Sequence, residues 1–479
     1  MLHLRQIIQK ISEKDSDEFR FWLEENDAEK FAQLFRLLRE GKLSEPAIAN
    51  ELDTNPSAFY ALKSRLNGKI QTFLAHRVPD HSIDLLRNVA NIPNLLYNTP
   101  REIAITQLLK LEKELIEHDM PGAITSVYSA LKKLHRYSQK YFHYAQLYNK
   151  HVAYTMAIGK AKELLSDFNK LLGEYCMSCD KQLVEVLGMV REEMHNYSNL
   201  YTSHHLCVYK NILDIEFALF VAHRKDVEGK PIDEILLNTE KIIRSYKNDL
   251  HYSFLIYIVN FLWFEYFQRQ ELGKKSEEYF LLTNNNLSIF LLNNFCCFPS
   301  IFLLSKIRQA LENNEEQKLH EEARSLAESF SPDKDDAPNY INYVKYQSAS
   351  AFCSGKYSEA VLLLNNLLND ISFRNFFHAE LEVKLFLALC YLLNRKAELA
   401  DALIKNVQRK LRDAESEAFP NAQSFAKMLS VAMDPSDKKG AEKCQKLLEK
   451  FQSENSGSAK MLDYLRIDAA LLKSISKAM

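Results

Sequence analysis

Glycine is scarce in this chain: 11 of 479 residues, about 2% where roughly 7% is usual. Strand-rich and α/β folds need glycine at turns, bulges and phosphate loops, so the shortage speaks against both. No Asn-Gly or Asp-Gly pair joins two strand-like runs, and no convincing strand pair is found. The phosphate-loop pattern G-x-x-x-x-G-K-S/T is missing, as are G-x-G-x-x-G, G-x-S-x-G and H-E-x-x-H, so no recognisable nucleotide or hydrolase site is present. The chain reads as non-enzymatic, with no cofactor and no metal. Charge of one sign is lacking too. The formal net charge is −2 and the sequence pI about 6.7, which excludes a whole-protein electrostatic binder of nucleic acid or membrane. The longest apolar run, HYSFLIYIVNFLWFEYF at 251–267, is broken by polar residues and falls short of the roughly 20 apolar residues that span a bilayer. It is expected to be a buried helix, and no membrane partner is expected. The start, MLHLRQIIQKISEKDSDEF, has no uninterrupted apolar core of a signal peptide. The eight cysteines lie mostly in apolar stretches, such as FLALCYLL around Cys390. Both features fit reduced thiols and a cytoplasmic location.

What remains is helical signal. Almost every segment carries apolar residues at i, i+3, i+4 and i+7. Prolines stand where helices would begin, as at Pro56, Pro100, Pro121, Pro231 and Pro420. The C-terminal half has an internal rhythm, a small residue opening a second helix: Ala323, Ala360, Ala400 and Ala441, spaced by 37, 40 and 41 residues. Each follows another amphipathic helix: IFLLSKIRQAL, YINYVKYQSASAF, LEVKLFLALCYLL and AQSFAKMLSVAM. A helix pair recurring at that period indicates an α-solenoid. Fainter second helices are read at 121–136, 157–172, 232–246 and 276–287.

The stretch YQSASAFCSGKYSEAVLLLNNLL resembles a tetratricopeptide repeat. Ser348 would fill the small position of its first helix, Gly355 the turn, and Tyr357 and Ala360 the start of its second. ALCYLLNRKAELADALIKNV is similar, with Ala388, Tyr391 and Ala400. The resemblance covers two units well. It implies an all-α fold: a right-handed helical-hairpin, tetratricopeptide-like solenoid over 99–479. A small helical domain, 1–78, precedes it, with 79–98 as a connection. Such arrays bind peptides or proteins along first helices, and Tyr144, Lys150, Asn260, Asn342 and Tyr346 are candidate groove residues.

The stretch LSEPAIANELDTNPSAFYALKSRL, within a hairpin at 43–70, resembles bacterial helix-turn-helix modules, including those of sigma-factor region 4. Ala49 is the small crossing residue. Asp53 stands in the turn where that family has glycine, and Phe59 and Leu62 are the pinning residues. Thr54 or Asn55 can cap the second helix, ahead of Pro56. No acidic residue occurs between Asp53 and Asp80, whereas Lys63, Arg65, Lys69 and Arg77 do. Phosphate contact needs that local balance. The resemblance implies contact with double-stranded DNA through Ser57, Tyr60, Ala61, Lys63, Ser64, Arg65 and Lys69. The function expected is a cytosolic regulator that joins this reader to a peptide- or protein-binding solenoid. The alternative is a protein-interaction scaffold without DNA contact, because small-residue crossings and tight turns serve any helical hairpin.

Other constellations lead to packing rather than chemistry. Cys176 and Cys179 form one C-x-x-C without a second pair. Glu192 and His195 form one E-x-x-H, where a di-iron bundle needs two. Cys296 and Cys297 read as core thiols, and His204 with His205 as a surface pair. The His- and Tyr-rich stretch 135–154 puts His135, His143 and His151 near one helix face, expected to pack against a neighbour. Its sharper reading is an aromatic lining that grips a peptide or stacks on bases.

Overall fold

The computed structural model describes residues 4, 8, 11, 13–26, 28–40, 43, 45–75, 80–246, 249–291, 296–413, 419–433 and 440–478. Among them the fold is all-α, with twenty-four α-helices and one minimal hairpin of two strands. Arg77 of the basic window, and the expected boundary at 78–79, lie outside the described residues. The chain divides into two compact units. One is 1–162 with 246–250; the other is 163–245 with 251–479.

The first unit opens with α1 (Glu13–Glu25), α2 (Glu29–Glu40), α3 (Glu45–Glu51) and α4 (Pro56–Ala75). Their apolar faces meet in one core, with Phe19, Leu34, Phe35, Ile48, Leu66 and Ile70 all inaccessible to solvent. Phe19 packs edge-on against Phe35 with ring centres 5.0 Å apart. Residues 80–98, expected to be a connection, form helices α5 (Asp80–Ala90) and α6 (Ile92–Asn98). These pack on α7 (Arg101–Glu117) and α8 (Pro121–Leu134) around a second core of Leu85, Ile92, Leu108, Leu115 and Val127. Next comes α9 (Lys140–Ser178), a single helix of 39 residues. The expected second helix at 157–172 is therefore part of α9. No proline interrupts the run, so nothing in the backbone forces a break.

In the second unit α10 (Lys181–Leu200), α11 (His204–Glu216), α12 (Ile232–Ser245), α13 (Leu250–Arg269), α14 (Gly273–Asn285) and α15 (Leu287–Leu291) lead into the regular pairs. Helix α11 continues into a π turn, Phe217–Val221. The 251–267 run lies in α13, with Val259, Phe261 and Leu262 fully buried. Among the described residues no helix is long and apolar enough to cross a membrane. The strands β1 (Asp226–Val227) and β2 (Lys230–Pro231) pair antiparallel. Glu228 and Gly229 close them with φ of 52° and 82°, the two left-handed positions of a tight hairpin. The sequence reading found no strand pair, and strands of two residues give no alternation to detect.

The pairs that follow are α16 (Phe298–Asn313) with α17 (Glu316–Ser329), α18 (Ala337–Cys353) with α19 (Tyr357–Asp370), α20 (Phe377–Leu393) with α21 (Ala397–Asp413), and α22 (Pro420–Ala432) with α23 (Gly440–Glu454). Each helix packs on its partner, and α16, α18, α20 and α22 also pack in succession. This stacking of helix pairs is compatible with a helical solenoid. Helix α24 (Ala469–Ala478) packs on α20 and α22. Ala323, Ala360 and Ala400 are fully buried, where larger side chains would hold the paired helices apart. At the last pair the register differs: Ala441 is exposed, while Gly440 and Cys444 face inward.

The turns explain the glycine shortage. Helices end on left-handed residues that are mostly not glycine, including Asp53, Asp119, Glu271, Asn314 and Arg395, with φ of 48–57°. After Asp53, the Thr54 N–H donates to the Ala49 carbonyl (3.0 Å) and the Asp53 N–H to that of Asn50 (3.1 Å). Arg395 shows the same pattern, with Lys396 N–H on Tyr391 (2.9 Å) and Arg395 N–H on Leu392 (3.0 Å). These paired bonds satisfy the orphan carbonyls of a helix end and offset the left-handed cost. Gly355, at φ 74° between α18 and α19, uses the same bonds without that cost.

Candidate functional site

Two features carry chemistry, one in each unit. The first is the α3–α4 hairpin. Ile48, Ala49 and Leu52 of α3 and Phe59 and Leu66 of α4 lie in the N-terminal core, and Leu62 packs against it. The Asn55 carboxamide caps α4, accepting from the Ala58 N–H at 2.8 Å, whereas the Thr54 hydroxyl donates to the Ala49 carbonyl at 3.1 Å. Of the seven residues expected to meet DNA, Ser57, Tyr60, Ala61, Ser64 and Arg65 are exposed. Tyr60 keeps 65% of its surface. Lys63 is half-buried, its ammonium 5.8 Å and 5.7 Å from the ring centres of Phe59 and Tyr60. Lys69 turns inward, 5.5 Å from the Trp22 ring and 5.2 Å from Phe31. Ser57, Ala61, Ser64 and Gly68 recur at helical spacing along the exposed side, a row of small neutral residues.

The second feature is a cavity of about 560 Å³ within the second unit. Phe220 and His223 from the π turn and its exit, Glu265 and Arg269 from α13, Arg308 from α16, Asn342 and Lys345 from α18, His378 and Glu382 from α20, and the 457–464 segment line it. A π turn opens the helix by one residue and is common at functional sites; here it delivers Phe220 to the wall. Arg269 stacks over that ring at 5.1 Å and donates to the Leu219 carbonyl. The formal charge of the lining balances: Arg269, Arg308, Lys345 and Lys460 against Glu265, Glu271, Glu382 and Asp463.

Most of these groups are engaged. Lys345 donates to Glu382 at 2.6 Å, with both side chains buried, and the other Glu382 oxygen accepts from the Leu462 N–H at 2.7 Å. Burial alone would raise the Glu382 carboxyl. Lys345, His378 and the Leu462 N–H together hold it below the ordinary carboxylate range. His378 donates through Nε2 to the Ala459 carbonyl at 3.1 Å, and burial lowers its pKa. Arg308 reaches Asp463 at 3.1 Å and Ser305 at 2.8 Å. The Tyr175 hydroxyl donates to Ser458 at 2.8 Å. Three polar atoms of the lining stay without a hydrogen bond, Glu265 Oε1, Arg308 Nε and the Tyr464 hydroxyl. The other Glu265 oxygen is 3.5 Å from Arg269. Among the described residues, the cavity brings no three His, Cys, Asp or Glu ligand atoms within 4.8 Å of one another.

Of the expected groove residues, only Asn342 reaches the cavity, and its amide donates to Ser300 at 3.3 Å. Tyr346 is 1% exposed and belongs to the core. Asn260 is buried on α13, and Tyr144 is buried on α9 with its ring stacked on His135 at 5.2 Å. Lys150 is exposed on α9. Four of the five are thus buried side chains, and Lys150 is the exposed one.

The remaining constellations pair or pack with neighbouring side chains. His195 pairs with Asp214 at 2.8 Å while Glu192 is exposed, and Arg191 bridges Asp214 (2.5 Å) and Glu228 (2.8 Å). His204 and His205 are not a surface pair: His205 is buried, and His204 bonds the Tyr252 hydroxyl at 2.8 Å. His135 lies in the turn after α8, outside the helix that carries His143 and His151. Cys296 and Cys297 are buried, as expected of core thiols. A Cys297 hydrogen bond holds the Cys176 thiol below its usual value, and burial pushes Cys179 up to about 12.

Sequence reasoning passed over Glu265, Arg308, Lys345 and Glu382. Their signal was present: each interrupts an apolar helical run, as in NFLWFEYF, YVKYQ and LEVKLF. A charge at a core-phase position is either paired or functional. No protein-family model, no curated protein and no solved structure matches this chain.

Proposed function

We propose that the protein is a non-enzymatic regulator in which α4 contacts double-stranded DNA and the second unit receives a peptide or protein ligand. One observation carries the DNA half. The outer face of α4 is free of acid, exposed through Tyr60 and Arg65, and lined by small residues that permit close approach to a phosphate backbone. Asp53 and the Asn55 cap support a helix-turn-helix arrangement of α3 and α4. Lys69 lies over Trp22 and Phe31, and Lys63 over Phe59 and Tyr60; exposed Arg65 is the first cation assigned to phosphate and Lys63 the second.

A gel-shift titration of the full-length protein on mixed-sequence duplex DNA at 50 and 200 mM salt tests this half. The expected result is binding that weakens steeply with salt and is lost in the Arg65→Glu, Lys63→Glu double variant. Absence of a shift at 50 mM salt, or a shift unchanged by the double variant, defeats it. The ligand half is tested by an array of 12-residue peptides, one set with free termini and one with both termini blocked; no reproducible enrichment in either set defeats that half. The row Ser57, Ala61, Ser64 and Gly68 favours a second reading, a pure interaction scaffold in which another helix packs where DNA would. That reading predicts array binding without any gel shift.

A further inference from the structure

We propose that the cavity of the second unit binds a small zwitterion, a ligand carrying a free ammonium and a free carboxylate. This rests on the reading that the second unit receives the ligand, and narrows its chemistry.

Beside the Tyr464 hydroxyl, the cavity's unsatisfied groups are two charged side chains of opposite kinds. Glu265 is only 5% exposed, yet its Oε1 has no hydrogen bond, and the weak contact with Arg269 uses the other oxygen. A buried carboxylate oxygen without a donor keeps its full desolvation penalty. Arg308 presents the converse: two of its nitrogens bind Asp463 and Ser305, and Nε–H is buried without an acceptor. One site therefore calls for a donor and the other for an acceptor. Lys345 and Glu382 satisfy each other, and the lining carries equal numbers of positive and negative side chains. A bare anion such as phosphate would meet no surplus of cations, and a bare cation no surplus of carboxylates. A ligand that is itself neutral but bipolar matches both orphans and the balance. Ile301, Leu304 and Phe220 give an apolar wall for its body. A volume of about 560 Å³ lies within the ~300–1,000 Å³ of small-molecule sites. Free amino acids and short peptides share this chemistry.

Saturation-transfer NMR on the full-length protein tests it, with the twenty free amino acids and a pooled tripeptide library as probes. The same probes with an acetylated amine or an amidated carboxyl serve as comparison. Binding by free-terminus probes is expected, weakened at least tenfold when either end is blocked. Glu265→Gln should erase the discrimination against acetylated probes, and Arg308→Gln that against amidated ones. Preference for tripeptides over amino acids would assign a peptide source, and the reverse a free amino acid. The proposal is overturned if no free-terminus probe binds, or if blocking either end changes nothing. The blocking comparison needs only the unmodified protein, so a misfolded variant does not shelter the idea. If blocked 12-residue peptides bind while free zwitterions do not, the cavity assignment falls and the ligand half of the proposed function stands.

Discussion

Removing Lys345 alone should cost the second unit far more than removing its charge together with that of Glu382. The two side chains are 7% and 3% exposed, with nitrogen and oxygen 2.6 Å apart. Lys345→Met leaves a buried carboxylate that keeps the Leu462 N–H donor at 2.7 Å but loses its cation. Breaking one partner of a buried pair costs about 3–5 kcal/mol, because the other charge stays desolvated. In the double variant Lys345→Met, Glu382→Gln, no charge is left, and the Gln oxygen can still accept from Leu462. The remaining loss is one imperfectly satisfied amide, roughly 1–3 kcal/mol. The double variant should therefore be more stable than Lys345→Met by about 2 kcal/mol. The pH dependence has a definite sign. The folded Glu382 carboxyl lies below its ordinary value. Its contribution is present above the unfolded pKa, about 4.3, and is lost as pH falls through the folded value. The cost of Lys345→Met should thus be large at pH 7 and shrink as pH falls through the folded Glu382 value. The chain has two tryptophans, Trp22 and Trp263, one in each unit. In a Trp22→Phe background, urea unfolding followed by Trp263 fluorescence reports the second unit. A Lys345→Met cost below about 1 kcal/mol, or a double variant as weak as the sum of the singles, would refute the reasoning.

Two further predictions concern stability. Glu216 is fully buried with no partner on either oxygen, and burial raises its pKa well above the usual value. A raised carboxyl stabilises most below its unfolded pKa, and that stability is lost as pH rises toward the folded value. Glu216→Gln should therefore raise Tm more at pH 8 than at pH 5; an equal or larger gain at pH 5 contradicts the burial argument. Asn55→Ala removes the α4 cap and should cost about 1 kcal/mol. Hydrogen exchange at the first turn of α4 should speed up while exchange in α2 stays unchanged, and equal acceleration in both helices would mean that the cap governs the whole N-terminal core.

The secondary structure of the second unit was legible because its apolar residues recur at helical spacing and because Ala323, Ala360 and Ala400 mark close helix contacts. The Asp53 turn was legible for a related reason. Local backbone geometry and the adjacent apolar pattern admit few alternatives, and a short polar side chain tolerates φ near 50°. Where reading failed, the deciding contact was distant in sequence. Nothing local tells whether α9 breaks before residue 157, or whether Ala441 or Gly440 faces inward. Tyr346 and Asn260 looked like groove residues because polar atoms on first helices invite that reading, and only the packing of neighbouring helices buries them.

Composition and periodicity by themselves determined the helical class, the scarcity of strands and the hairpin at Asp53. Each follows from interactions within a few residues: i to i−4 bonds, capping and left-handed turns. The tertiary structure alone decided the cavity. Glu265, Arg308, Lys345 and Glu382 come from three helix pairs and the long α13, spread over 118 residues of chain. Desolvation, which makes one of these charges a satisfied pair and another an orphan, depends on which helices close around it. The sequence showed that charges sat at core positions, and folding determined which of them found partners.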